Sequence, residues 1–168
     1  MATSALSKFW SNKWENRQLC DVVIKTKHHD EDKSIPCHSF ILAPASSQLE
    51  QLSSSDDLAP LQSVGLGLSI ERSDENGKII ITHPLINFDE WQIFLTFLYY
   101  GKVSFQKLQL TLDKNLDLGQ FLCSAANKLA VHDSLHQAID DYLKQESSIN
   151  QQQNFISTEK FQVVSVVF

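Results

Sequence analysis

Apolar residues three and four apart open the chain. Leu6, Phe9, Trp10 and Trp14 fall on one stripe of a helix predicted over residues 3–17. Such a stripe needs burial, either on the chain's own core or against another subunit. Residues 19–26 form a β-branched run that suits a strand. Residues 28–33 are polar and predict a hairpin loop, with residues 34–37 returning as a short second strand. An apolar patch at residues 39–43 leads to Pro44, a helix start or break, and residues 48–52 read as helical. Residues 53–77 shift to Ser, Asp and Gly, which predicts a mobile insertion that buries little. Asn76-Gly77 is a turn signal before a buried strand at residues 78–82.

The second half is helical in period. Asn87 with Glu90 makes a capping box, Trp91, Phe94, Leu95 and Leu98 share one face, and Gly101 closes the helix. Residues 103–112 hold a short strand and a loop. Asp117 caps a helix whose inner face is Phe121, Leu122, Ala125 and Leu129. Asp133 starts a last helix with Leu135, Ile139, Tyr142 and Leu143 inward. After Glu146 the composition turns to Ser, Asn and Gln, predicting a linker, and residues 161–168 form a β-prone apolar end expected to pair with a sheet edge or to lead into another domain. Strands and helices in this order predict an α+β fold.

A length of 168 residues suits one compact domain, and 42% apolar with 20% charged residues is ordinary globular composition. The formal charge of −6, with no dense Lys/Arg block, argues against direct nucleic-acid binding. Residues 1–13 lack the pattern of a signal peptide, and no apolar run approaches bilayer length, so no membrane role is expected. Three widely spaced cysteines predict a reducing compartment, nucleus or cytoplasm.

Candidate chemistry is sparse. The cluster His28-His29-Asp30-Glu31-Asp32 has metal-ligand types, but an exposed hairpin explains it. Cys20, Cys37 and His38 lack zinc spacing, and Cys37 and His38, as strand neighbours, point to opposite faces. Asp56-Asp57 and Asp140-Asp141 read as solvated carboxylates, and Gly65-Leu66-Gly67 is an incomplete phosphate loop. The expectation is no catalytic, cofactor or metal site, and no enzyme.

Four segments are specific when taken together. "LCDVVIKT" at residues 19–26 and "IPCHSFILAPAS" at residues 35–46 resemble the opening of a BTB/POZ domain. "FDEWQIFLTFLYYGKV" at residues 88–103 is similar to that family's aromatic helix ending in Tyr-x-Gly. "LGQFLCSAANKLAVHDSLHQAIDDYL" at residues 118–143 is similar to its closing helical pair. The likeness runs over residues 4–145 and implies a small mixed sheet flanked by a cluster of helices. It implies a domain over residues 1–146 with 53–77 as a mobile insertion, and a linker and β-prone extension over 147–168.

The resemblance also implies a protein-interaction scaffold that forms homodimers, without cofactor, and works in transcription or chromatin regulation. Members with a helix before the first strand exchange that region, which nominates Leu6, Phe9, Trp10, Trp14 and Val22 as interface residues. Asp21, His38 and Ser39 take the places of a charged pocket beside a co-regulator groove. The family's basic residue is Ser39 here, so Asp21 is expected to find backbone or hydroxyl donors. The alternative is an adaptor for a cullin ubiquitin ligase. Its hydrophobic-x-Glu element is missing before the third main strand, and Phe88-Asp89-Glu90 has those letters only after it.

Overall fold

A computed structural model describes residues 5–28, 31–53, 61–62, 68–73, 77–103 and 117–164. The chain forms two compact units, Met1–His132 and Asp133–Phe168. In the first, helix α1 (Ala5–Glu15) precedes strands β1 (Val22–His28) and β2 (Glu31–Cys37). The short helix α2 (Ser39–Leu42) and 3-10 turns at Ala43–Ala45 and Glu50–Ser53 follow. Strands β3 (Leu61–Gln62), β4 (Ser69–Arg72) and β5 (Ile79–Thr82) come next, then helices α3 (Phe88–Tyr100) and α4 (Leu118–Lys128).

The described strands form one five-stranded sheet in the order β2-β1-β5-β4-β3. β1 and β5 run parallel, and the other neighbours are antiparallel. Strand alternation puts every second residue on one face. The register lines up Ile35, Ile24, Ile81 and Ile70 in a row across four strands, all buried, with Cys37, Val22 and Ile79 in the next row. The α+β architecture with a mixed sheet is therefore as the resemblance implies.

Helix α3 is buried almost all round: Trp91, Ile93, Phe94, Leu95 and Phe97 are core residues. Asn87 accepts from the Glu90 N–H while the Glu90 side chain accepts from the Asn87 N–H, completing the capping box. Gly101 ends α3 with φ +67°, a left-handed position that favours glycine. Asp117 caps α4 through the Gly119 and Gln120 N–H groups, and Leu122, Ala125, Ala126 and Leu129 are buried. Ser46 ties the turn after α2 to the end of α4: its hydroxyl donates to the Leu129 carbonyl at 2.6 Å, and its backbone bridges to Val131.

Several expectations are corrected. β1 and β2 continue to His28 and from Glu31, where a loop was expected over residues 28–33. The helical reading of residues 48–52 shrinks to the 3-10 turn at Glu50–Ser53. Residues 53–77 are not one mobile insertion, since β4 is a full member of the sheet with Ile70 in its core row. One well-placed isoleucine anchors a strand whose neighbours are too polar to announce it. Residues 54–60, 63–67 and 74–76 of that segment lie outside the described residues, as do 104–116, where a short strand was expected.

In the second unit, α5 (Asp133–Val164) is a single helix of 32 residues. It runs through residues 147–164, where a linker and a strand were expected. The stretch contains neither glycine nor proline, and its Gln, Glu and Lys residues lose little rotamer freedom in a helix. The Ser147 and Ser148 hydroxyls donate to the Leu143 and Lys144 carbonyls one turn back, so polar composition is absorbed locally. No described helix is long and apolar enough to cross a membrane.

Candidate interaction surface

Helix α1 lies on the last turn of α3 and the end of β2. Ser7 and Ser11 both donate to the Tyr99 carbonyl, at 3.2 and 2.9 Å. The Trp14 indole N–H donates to the Pro36 carbonyl at 2.9 Å, and its ring stacks on Tyr99 with centroids 4.4 Å apart. The Tyr100 hydroxyl donates to Glu15. Small serines one turn apart let the helix approach closely, a signal the apolar stripe had obscured.

The expected stripe is thereby split. Trp14 faces its own chain, and Trp10 leans on Phe40 at 4.3 Å and on His38 at 5.3 Å. Leu6 and Phe9 point outward, 66% and 48% exposed. Phe9 meets Trp10 edge-on at 5.1 Å, with the Lys13 ammonium 5.4 Å above the Phe9 ring. Phe9, the outer part of Trp10 and the half-exposed Phe40 form an apolar patch, with the exposed Leu6 one turn before Phe9 on α1. Val22, nominated for the interface, is fully buried between Cys37 and Ile79 in its own sheet and presents nothing to a partner.

Asp21, His38 and Ser39 come together, but as two separate devices. The Asp21 carboxylate accepts from the Ser39 N–H at 2.8 Å and from the Ser39 hydroxyl, the backbone and hydroxyl donors expected in place of a cation. It is exposed rather than buried, so it needs no ion pair. A cleft of about 480 Å3 opens here, lined by Asp21, Ser39, Phe40, Leu52, Ile79 and Arg72 of β4. The basic side chain of this cleft thus comes from the inserted strand.

His38 is buried and spans three elements. Its Nε2 lies 3.0 Å from the Gln18 carbonyl, its Nδ1 meets the Tyr99 hydroxyl, and its backbone N–H donates to that hydroxyl at 3.0 Å. Cys20 Sγ stands 3.9 Å from Nε2. Burial raises both the Cys20 and the Cys37 thiols above the usual range, so neither is a thiolate nucleophile at neutral pH. Among the described residues no three His, Cys, Asp or Glu side chains are placed to hold a metal ion.

A second groove of about 710 Å3 lies at the ends of β1 and β5, lined by Lys25, Asp32, His83, Ile86 and an exposed Leu85. Glu90, in the first turn of α3, is buried with both carboxylate oxygens hydrogen-bonded. Besides its capping bond it accepts from Lys128 Nζ at 2.6 Å and from the Ser124 hydroxyl at 2.7 Å. Burial alone would raise this carboxyl, but the hydrogen bonds from Lys128, Ser124 and Asn87, with the Lys128 charge, bring it below its ordinary value. His83 is lowered by burial and by the same Lys128 charge.

The family model of the BTB/POZ domain matches residues 11–147. No curated protein matches the chain.

Proposed function

Since the chain belongs to the BTB/POZ domain family, a family of protein-protein interaction modules, we propose that it pairs with a second copy of itself through the α1 face and that the pair serves as an assembly platform in transcriptional or chromatin regulation. The exposed Leu6, Phe9 and Phe40, with the part-exposed Trp10 between Phe9 and Phe40, carry this reading. Large apolar side chains gathered on one surface mark an interaction site rather than scattered surface residues. Aromatic anchors suit the centre of an interface, where their area is gained at low entropy cost. At about 25 cal/mol per Å2, burying a few such side chains yields several kcal/mol before ordering costs.

The adaptor alternative has less support. Phe88-Asp89-Glu90 supplies the right letters, but the Glu90 carboxylate is buried and already accepts from its own cap, Lys128 and Ser124, which leaves it turned to its own chain rather than to a cullin.

Light scattering of the wild-type chain is expected to give twice the 19.1 kDa chain mass. The double variant Leu6→Asp, Phe9→Asp changes only exposed positions, so it is expected to keep its fold by circular dichroism and run as a monomer. A wild type that stays monomeric at about 100 μM, or a double variant that still dimerises, defeats the reading.

A further inference from the structure

We infer that the groove where β5 stops is a docking site for an extended segment of a partner protein. That segment adds alongside β1 and carries an apolar side chain between an acidic and a basic one. The site goes beyond the pairing reading and does not depend on it. α1 sits on the last turn of α3 and the Pro36 end of β2. This groove lies by Asn87, before the first turn of α3, and by the Asp32 end of β2, with about 18 Å of the 13-residue helix between the two places.

β1 outlasts β5. The parallel register ends at Lys25↔Thr82, while β1 stays paired with β2 as far as His28↔Glu31. Pro84 follows at once and has no N–H to give a sheet. The chain turns away there, held by the Leu85 N–H donating to His83 Nδ1 at 3.2 Å. Among the described residues, Thr26, Lys27 and His28 therefore have a strand beside them on the β2 side only. The Ile79 N–H donates to the Asp21 carbonyl, so alternate residues of β1 from Asp21 onward turn their backbone groups towards the β5 side. Lys27 is the one of these beyond the end of the register. Its N–H and C=O face the groove, which measures about 710 Å3.

The side chains around the groove fit such an occupant. Thr26 is only 6% exposed, and its hydroxyl has no hydrogen-bond partner among the described residues. Buried polar atoms are nearly always bonded, and an arriving peptide group supplies the missing partner. Lys25 and Asp32 fall on one face of the β1–β2 ribbon, both exposed, and neither makes an ion pair among the described residues. Lys33, beside Asp32, is on the other face over the Phe88 ring. Opposite charges on one wall select a ligand with a carboxylate for Lys25 and a cation for Asp32, over one of a single sign. Leu85, 56% exposed, and Ile86 make the apolar wall, and covering Leu85 takes its surface out of water. Main-chain bonds to a strand edge give affinity, and alternate side chains give the choice of sequence.

Two synthetic pentapeptides blocked at both ends test this, Val-Glu-Leu-Lys-Val and its reverse Val-Lys-Leu-Glu-Val, one for each strand direction. Each is titrated to about 2 mM into the nitrogen-15-labelled full chain, and amide chemical shifts are followed. At least one is expected to move the amides of residues 25–28 and 82–87 and few others. Lys25→Glu is expected to weaken that binding about fivefold and Leu85→Asp about tenfold, both at exposed positions that leave the fold intact. The same peptide with a fully N-methylated backbone keeps its side chains but has no donors, and is expected not to bind. The Leu6→Asp, Phe9→Asp variant is expected to bind as the wild type does, which separates this site from the pairing. No shift with either peptide, shifts centred on α1, or equal binding by the N-methylated peptide each overturns the site. So does unchanged affinity in both Lys25→Glu and Leu85→Asp. A monomeric wild type that binds the peptide at residues 25–28 and 82–87 leaves the site standing and removes only the pairing.

Discussion

Glu90 does two things with one carboxylate: it closes the α3 capping box and pairs with Lys128 across the α3–α4 contact. Lys128→Met leaves a buried carboxylate with only neutral donors, and the expected loss is about 2–3 kcal/mol in urea unfolding. Adding Glu90→Gln to that variant is expected to recover part of it, because no charge then remains to be desolvated. The same cluster sets the acid response. The Glu90 carboxyl is depressed in the folded state, so its contribution is complete above its unfolded value of 4.5 and fades as pH falls through the lower folded one. His83 is lowered from 6.5, so its contribution is complete above that value and is lost as pH falls towards and past the folded one. Urea midpoints are expected to fall on acidification from about pH 6.5, and His83→Gln to shrink the first part of that fall. A flat profile from neutrality to about pH 5 would refute this assignment. The capping box was legible from Asn87 and Glu90 three residues apart. The partners Ser124 and Lys128 were not, because spacing along the chain carries no record of which helix lies alongside.

At the scale of elements, β4 is the informative case. A Ser, Asp and Gly-rich segment gave no alternating pattern long enough to read, yet Ile70 enters the row shared by Ile35, Ile24 and Ile81. Ile70→Ala is expected to cost about 2–4 kcal/mol, where a loop position would be silent within about 0.5 kcal/mol. Thermal melts of the two chains decide it. Helix α1 makes a related point. The Trp14 indole covers the Pro36 carbonyl on the outer side of β2, an edge that proline already deprives of one donor. Trp14→Phe keeps the stacking on Tyr99 and removes the bond, so the expected loss is about 1 kcal/mol. The stripe of Leu6, Phe9, Trp10 and Trp14 was visible in the sequence. Its division into an inner and an outer half depended on Ser7 and Ser11 finding one carbonyl on α3. Helix α5 shows the opposite error: polarity was read as a linker, while propensity without glycine or proline favoured continuation.

For the whole molecule, pairing through α1 has a thermodynamic signature. If folding is linked to association, a tenfold rise in chain concentration stabilises the pair by about 1.4 kcal/mol. The melting temperature is then expected to climb by roughly 2–4 °C per tenfold step, and to become independent of concentration in Leu6→Asp, Phe9→Asp. The net charge of −6 opposes association between like chains, so added salt is expected to strengthen pairing.

The sequence by itself determined the fold class, the caps of α3 and α4, and the β-branched strands that carry Ile24, Ile79 and Ile81, because these follow from local periodicity and short-range hydrogen bonding. It also carried the four segments that identify the family. Tertiary structure alone decided that Val22 is core, that Asp21 leans on Ser39 in a cleft that Arg72 also lines, and that His38, Gln18 and Tyr99 meet. Those outcomes turn on contacts between residues far apart in the chain, and their geometry is fixed only when the elements pack.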